Sequence, residues 1–176
     1  MIEINNLAAS VKNNDTSIIR DISLTFEVWK NYCLLWKNGS GKSTLSSVLA
    51  GNPKYSVQSW NVTIDGEDLL EMNPEERNKA GIFLSFQNVP EIPGVKLSEY
   101  LRTIYNVYLK NTSPDTRALS PFLFKRFVKQ NMQDLDIDES FLERDLNVWF
   151  SGGEKRKIEI LQMKLINPRY IILDEI

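Results

Sequence analysis

The chain has 176 residues, enough for one domain with a packed core, and its 21 basic against 23 acidic side chains leave a net charge of −2. That balance provides no electrostatic footprint for nucleic acid or an anionic membrane, and no apolar run approaches the length that spans a bilayer. A single cysteine, Cys33, excludes an internal disulfide and a C-x-x-C metal or cluster site, and there is no histidine.

Taken in chain order, Ile2 and Ile4, then Ile18, Ile22, Leu24 and Phe26, predict two antiparallel strands with Asn13-Asn14-Asp15 as the turn between them. The start, Met1-Ile2-Glu3-Ile4, lacks the basic-then-apolar pattern of a secretory signal, so a soluble cytoplasmic protein is expected. Tyr32-Cys33-Leu34-Leu35 predicts an apolar strand in which Cys33 is a buried structural thiol. Lys42 to Ala50 predicts a helix stopped by Gly51-Asn52-Pro53. Asn61-Val62-Thr63-Ile64 reads as a strand closed by an Asp65-Gly66 turn. Asn73-Pro74-Glu75-Glu76 reads as an N-cap, a proline at the first helical position and acids in the first turn. A buried strand is predicted over 81–86.

Leu97, Leu101, Ile104, Tyr105 and Tyr108 fall at helical spacing in a region that runs to Met132 with a polar break at Asn111-Thr112-Ser113-Pro114, so a helical insert is expected. Its Phe122, Phe124 and Phe127 are read as core in preference to a docking surface. Ser151-Gly152-Gly153-Glu154 opens a helix through Leu165, and Arg169 to Glu175 reads as an apolar strand ending in two acids.

Between the Tyr32 strand and the Lys42 helix lies Trp36-Lys37-Asn38-Gly39-Ser40-Gly41-Lys42-Ser43-Thr44, whose last six residues match the phosphate-holding end of a P-loop. Small glycines let successive N–H groups converge on one phosphate, and the helix that follows adds its N-terminal dipole. Asn38, Gly39, Ser40, Gly41, Lys42, Ser43 and Thr44 are therefore the candidate nucleotide-binding residues, with Lys42 reaching the β- and γ-phosphates and Ser43 coordinating Mg²⁺. Trp36 stands where G-x-x-x-x-G-K-[ST] asks for glycine. Downstream, Asp174 would hold the Mg²⁺ shell and Glu175 would polarise an attacking water. Phe150-Ser151-Gly152-Gly153-Glu154 places a hydroxyl and unhindered N–H groups at a helix start, a second anion-binding device in a chain that needs only one for its own ATP.

In this order, the P-loop, the strand-end Gln87, F-S-G-G-E and Leu173-Asp174-Glu175 resemble the ABC-type ATPases, whose signature is L-S-G-G-Q. The resemblance implies an α/β P-loop NTPase fold of ABC type, with a mixed, mostly parallel sheet, an antiparallel β edge and an inserted helical subdomain. It implies one domain over 1–176, with a catalytic core at about 1–90 and 159–176 and a helical subdomain at about 91–158. It further implies ATP and Mg²⁺ as cofactors and hydrolysis of ATP to ADP and phosphate. Glu175 and Gln87 would be catalytic and Ser43, Gln87 and Asp174 would serve the metal. Ser151, Gly152, Gly153 and Glu154 would face the ATP of a second protomer in a homodimer.

The resemblance narrows to the SufC-type ATPases of the SUF iron-sulfur cluster assembly system on several stretches. These are Asn38 to Ser46, Asp65 to Leu70, Pro74 to Arg77, Phe86-Gln87, Pro90-Glu91-Ile92-Pro93-Gly94-Val95, Phe150 to Lys155 and Glu159 to Met163. It implies SufB-like and SufD-like scaffold partners that an ATP-dependent dimer would rearrange, with the cluster held on those partners. Two alternatives stay open: the nucleotide-binding subunit of a membrane transporter, and a catalytically dead paralogue.

The chain departs from that family in two respects. Trp29, Trp36, Trp60 and Trp149, all of its tryptophans, fall where such chains usually carry glycine. Its 8 glycines in 176 residues are about 4.5%, below the usual ~7%, and four more would bring it to about 6.8%. Either UGA codons read as glycine underlie these positions, or the chain is a decayed paralogue; with tryptophan in place, weak ATP binding is expected. Secondly, Ile176 precedes the family's D-loop and switch histidine, so a C-terminally truncated piece of a longer protein is expected. Near the base, Ala8-Ala9-Ser10-Val11 offers no aromatic platform, and Val11 packing predicts little discrimination between ATP and GTP. Arg156 could pair with Glu175, though a solvated helix-face arginine is the favoured reading.

Overall fold

The alternation of isoleucines near the start produces β1 (Ile2–Val11), which pairs antiparallel with β2 (Ser17–Phe26) from Ile2↔Phe26 to Ser10↔Ser17. Strict alternation would turn Leu7 outward, but the register shifts between Ile4 and Leu7, with Asn6 at φ 50 on one strand and Asp21 at φ 49 on the other. That bulge returns Leu7 and Ala9 to the face already occupied by Ile2 and Ile4. The computed structural model describes residues 1–176 apart from 14, 15, 59, 60, 175 and 176, so two residues of the predicted Asn13-Asn14-Asp15 turn lie outside the described residues. The chain forms two compact units, Met1–Gln87 with Pro168–Ile176, and Asn88–Asn167.

In the first unit, helix α1 (Lys42–Leu49) packs Leu45, Val48 and Leu49 into the core. The other edge of β1 pairs with β3 (Tyr55–Gln58) and β4 (Asn61–Ile64), and β4 turns through Asp65 (φ 52) and Gly66 (φ 90) into the short β5 (Glu67–Asp68). This is the expected antiparallel part, but the expected mostly parallel sheet does not form among the described residues, where a single pair of strands, Ile82–Ser85 with Tyr170–Leu173, runs parallel. Helix α2 (Pro74–Lys79) starts in a complete capping box, with Glu76 N donating to Asn73 Oδ1 at 3.0 Å and Asn73 N donating to Glu76 Oε2 at 2.7 Å. Strand β6 (Ile82–Ser85) follows. Ile4, Leu7, Ile19, Val62, Ile64 and Leu69 are all nearly inaccessible, each such side chain contributing about 1.5–3 kcal/mol relative to exposure.

The expectation for 32–35 does not hold. These residues form no strand; Tyr32, Leu34 and Leu35 are 45, 44 and 82% exposed, and Cys33 is exposed, not a buried thiol. An apolar run signals a buried strand only where another strand supplies a ladder, and none of the described residues pairs with this segment.

The second unit opens with β7 (Ile92–Lys96), then α3 (Leu97–Thr112) and α4 (Pro121–Gln133), whose N-cap Ser120 accepts from Leu123 N. A 3₁₀ turn (Glu139–Glu143) leads to β8 (Asp145–Leu146), which pairs antiparallel with β7, and then to α5 (Gly152–Ile166). Helix α5 runs unbroken across residue 158, and the whole of it belongs to this unit. Leu97, Leu101, Phe124, Val128, Met132 and Leu142 form the core. The three phenylalanines separate: Phe124 is buried, Phe127 stacks on Tyr105 at 4.8 Å between centroids, and Phe122 is 77% exposed, contrary to its reading as core. Helical periodicity places Phe122 on the far side of α4 from Phe124. The chain then returns to the first unit as β9 (Tyr170–Leu173), parallel to β6 with Ile82↔Tyr170 and Ser85↔Leu173. No helix among the described residues is long and apolar enough to cross a membrane.

Candidate nucleotide site

The P-loop backbone is bent by two glycines, Gly39 at φ 78 and Gly41 at φ 96. A Cβ on Gly41 would come within 3.2 Å of Ile19 Cγ1 and 3.4 Å of Ile18 Cγ2, so both conformation and space require glycine there. Helix α1 begins with no side-chain cap and no acid in its first turn, which leaves its N-terminal N–H groups and dipole directed at a concavity lined by Ile18, Asn38, Gly39, Gly41, Lys42, Ser43 and Thr44. Lys42 Nζ donates to the carbonyls of Trp36 at 3.0 Å and Lys37 at 3.1 Å, so the ammonium lies across the loop. Ser40 Oγ is buried without a protein partner. Uncapped amides, a centrally held cation and an orphaned hydroxyl fit a bound phosphate chain.

Ser43 Oγ donates to Asp174 Oδ1 at 3.0 Å across 131 residues of sequence. A hydroxyl and a carboxylate side by side are the hard oxygen donors that Mg²⁺ takes when phosphates and water complete its shell. Parallel pairing of β6 and β9 brings Asp174, one residue past Leu173, to the same strand ends from which Gln87, two residues past Ser85, emerges. Ligands of open α/β sheets bind at such carboxyl ends. Gln87 is exposed, and Glu175, the expected water-polarising group, lies outside the described residues.

In the second unit Ser151 is the N-cap of α5, and the expected open anion site is partly filled. Glu154 N donates to Ser151 Oγ at 3.3 Å and Ser151 N donates to Glu154 Oε2 at 2.6 Å, a capping box that uses two of the helix-start donors. The Ser151 backbone bond is the main reason the Glu154 carboxyl is held below its ordinary range. Gly152 and Gly153 keep their N–H groups clear, and a Cβ on either would meet nothing within 4 Å. Local packing therefore does not demand these glycines. Arg156 ion-pairs within α5 to the buried Glu159 at 2.6 Å and is not a fully solvated arginine.

Two arginines carry positioning roles with no motif to reveal them. Arg77 is buried and donates to Met72 O at 2.9 Å, Val48 O at 2.6 Å and Leu49 O at 3.2 Å, closing the C-terminal end of the P-loop helix. Burial lowers its pKa, partly opposed by Asp68. Arg144 lies 4.5 Å from the ring centres of both Phe141 and Phe150 and donates to Trp149 O at 3.0 Å, anchoring the entry to Ser151. Only a packed structure shows where either guanidinium goes.

A family profile described as ABC transporter matches residues 19–176. The chain is 39% identical over 175 residues to the probable ATP-dependent transporter ycf16 of Antithamnion sp., covering 99% of this chain and 68% of that one. It is 40% identical over 176 residues to the probable ATP-dependent transporter slr0075 of Synechocystis sp., covering all of this chain and 67% of the relative. Vegetative protein 296 of Bacillus subtilis is 40% identical over 159 residues, 90% of this chain and 59% of its own length. The chain thus spans about two thirds of the length of such relatives. Its fold is similar to that of the ATP-binding cassette MJ0796, solved as a dimer in a post-hydrolysis state bound to ADP and Pi, with a TM-score of 0.75 at 20% identity, covering 99% of this chain and 73% of that one. Sequence and fold agree that the chain belongs to the ABC transporter family as an ATP-binding, ATP-hydrolysing cassette domain built on the P-loop NTPase fold.

Proposed function

We propose that this cassette is a cytoplasmic SufC-type ATPase that hydrolyses ATP to rearrange a scaffold of SufB-like and SufD-like proteins in iron-sulfur cluster assembly. The reading rests on the stretch Pro90 to Val95, which sets the SufC-type resemblance apart from other ABC chains, and on what that stretch touches. Pro90 O accepts from Asn147 Nδ2 at 2.9 Å, Glu91 pairs with Lys155 at 2.8 Å, and Gly94 N and Lys96 Nζ each donate to Asp145 at 2.9 Å. These bonds join it to both sides of Phe150-Ser151-Gly152-Gly153, so the family-specific segment and the signature form one structural piece.

In the proposed reaction the P-loop amides and Lys42 bind and orient the phosphate chain, and Ser43, Gln87 and Asp174 would hold Mg²⁺, which when bound would supply charge neutralisation for the phosphates. Glu175 orients water for in-line attack on the γ-phosphorus and takes up its proton, and ADP leaves as the P–O bond breaks. Ser151 and the Gly153 N–H meet the γ-phosphate of the second protomer's ATP, so closure of a homodimer accompanies binding and opening accompanies hydrolysis.

The names of the relatives favour a second reading, the nucleotide-binding subunit of a membrane transporter. Affinity purification of the full-length gene product from its own cells separates the two. Recovery of SufB-like and SufD-like proteins supports the first reading, a membrane permease supports the second, and no ATP turnover by any complex of the full-length protein leaves the dead paralogue.

A further inference from the structure

We infer that positions 29, 36, 60 and 149 are glycine in the native protein, inserted at UGA codons that the source cell reads as glycine. The backbone carries the argument. Among the described residues, nine non-glycine positions have positive φ, and seven of them are Asn or Asp, the side chains that accept the left-handed region most readily. The other two are Trp29 at φ 65 and Trp149 at φ 60. Six of the eight glycines share that region, so the conformation at 29 and 149 is the one this chain elsewhere assigns to Gly, Asn and Asp.

Burial leads to the same residue. Tryptophan has the largest side chain and is highly buried on average, yet Trp29, Trp36 and Trp149 are 82, 77 and 88% exposed. Neither core contains a tryptophan among the described residues, so no packing compensates the backbone strain. At 149 the main chain is held by its surroundings, through Arg144 on the Trp149 carbonyl and Phe150 N on Asn147 O at 3.4 Å, while the indole projects into solvent. At 36 the residue occupies the first glycine of G-x-x-x-x-G-K-[ST], and only its carbonyl is used, by Lys42. Position 60 lies outside the described residues and enters through its place in the sequence, directly before β4.

A single cause covers all four positions, because one reassigned codon substitutes one residue type for one other. Glycine at 36 completes the P-loop pattern. Glycine at 149 removes a large exposed ring three residues before the open approach at Gly152 and Gly153; that functional consequence rests on the proposed dimeric ATPase, whereas the residue identity does not.

The test is peptide sequencing by mass spectrometry of the protein from its own cells, together with reading the four codons. Glycine in all four peptides over UGA codons is expected. Tryptophan in any of these peptides, or UGG at any of the codons, overturns the inference. Neither readout involves nucleotide, partner or activity, so this inference and the assignment to iron-sulfur assembly fail independently.

Discussion

Replacing Arg77 with methionine tests the support beneath the P-loop helix. Methionine keeps much of the volume and the apolar stem but withdraws the donors from Val48 O, Leu49 O and Met72 O. At the end of α1 Val48 O also accepts from Gly51 N at 3.0 Å, so Leu49 O and Met72 O are the acceptors that depend on Arg77, which is only 6% exposed. Each buried acceptor left unpaired costs about 1–3 kcal/mol, while the guanidinium's own desolvation, the main cause of its lowered pKa, is relieved. The net expectation is a loss of about 3 kcal/mol, or a fall in Tm of about 6–12 °C for a chain of this size. Urea unfolding followed by circular dichroism, with parent and variant showing equal m-values, reads the difference directly. Arg77→Lys, with one ammonium in place of a planar fork, should recover about half of the loss. A change below about 0.5 kcal/mol for Arg77→Met would refute the reasoning, because Leu49 O and Met72 O would then have other partners.

Four further outcomes follow from the site and its surroundings. Asp174→Asn keeps an acceptor for Ser43 but removes the charge, so the Mg²⁺ concentration for half-maximal hydrolysis by the full-length protein should rise at least about tenfold; an unchanged Mg²⁺ dependence contradicts the metal assignment. Arg144→Lys loses the stacking on Phe141 and Phe150 and should lower kcat about fivefold with KM for ATP unchanged, a pattern that a general loss of folding would not give. Asp65 has its pKa lowered first by the hydrogen bond from the Met1 ammonium, with help from Arg169, and burial opposing. Its contribution is therefore present above the unfolded carboxylate value and lost as pH falls through the lower folded value, so Asp65→Asn should flatten the stability profile below about pH 4 and not above it. With Ile18 as the apolar residue lining the nucleotide concavity and no aromatic in Ala8 to Val11, ATP and GTP should bind within about threefold of each other, whereas strong ATP preference would require a base platform that Ala8 to Val11 does not provide.

Most elements were legible because their causes are local. Ile2 and Ile4 mark a strand face, the Asp65-Gly66 pair marks a hairpin turn, and Asn73 with Glu76 and Ser151 with Glu154 mark helix starts; each acts over two to four residues. The P-loop is legible for the same reason, since phosphate geometry dictates its spacing. Contacts between distant segments decided the rest. Tyr32 to Leu35 has the composition of a buried strand, but a ladder partner is a non-local fact. The shift that returns Leu7 to the core depends on β2, and the split among Phe122, Phe124 and Phe127 depends on what α4 packs against. Arg77 and Arg144 look like ordinary surface charges in one dimension. The Ser43–Asp174 pair could be expected from chemistry, but its 3.0 Å contact exists because parallel pairing of β9 with β6 returns Asp174 into the first unit. Sequence alone determined which segments bend, coil and bind phosphate, because those preferences lie within a few residues; tertiary structure decided which surfaces are buried and which groups meet, because burial and pairing depend on the whole chain.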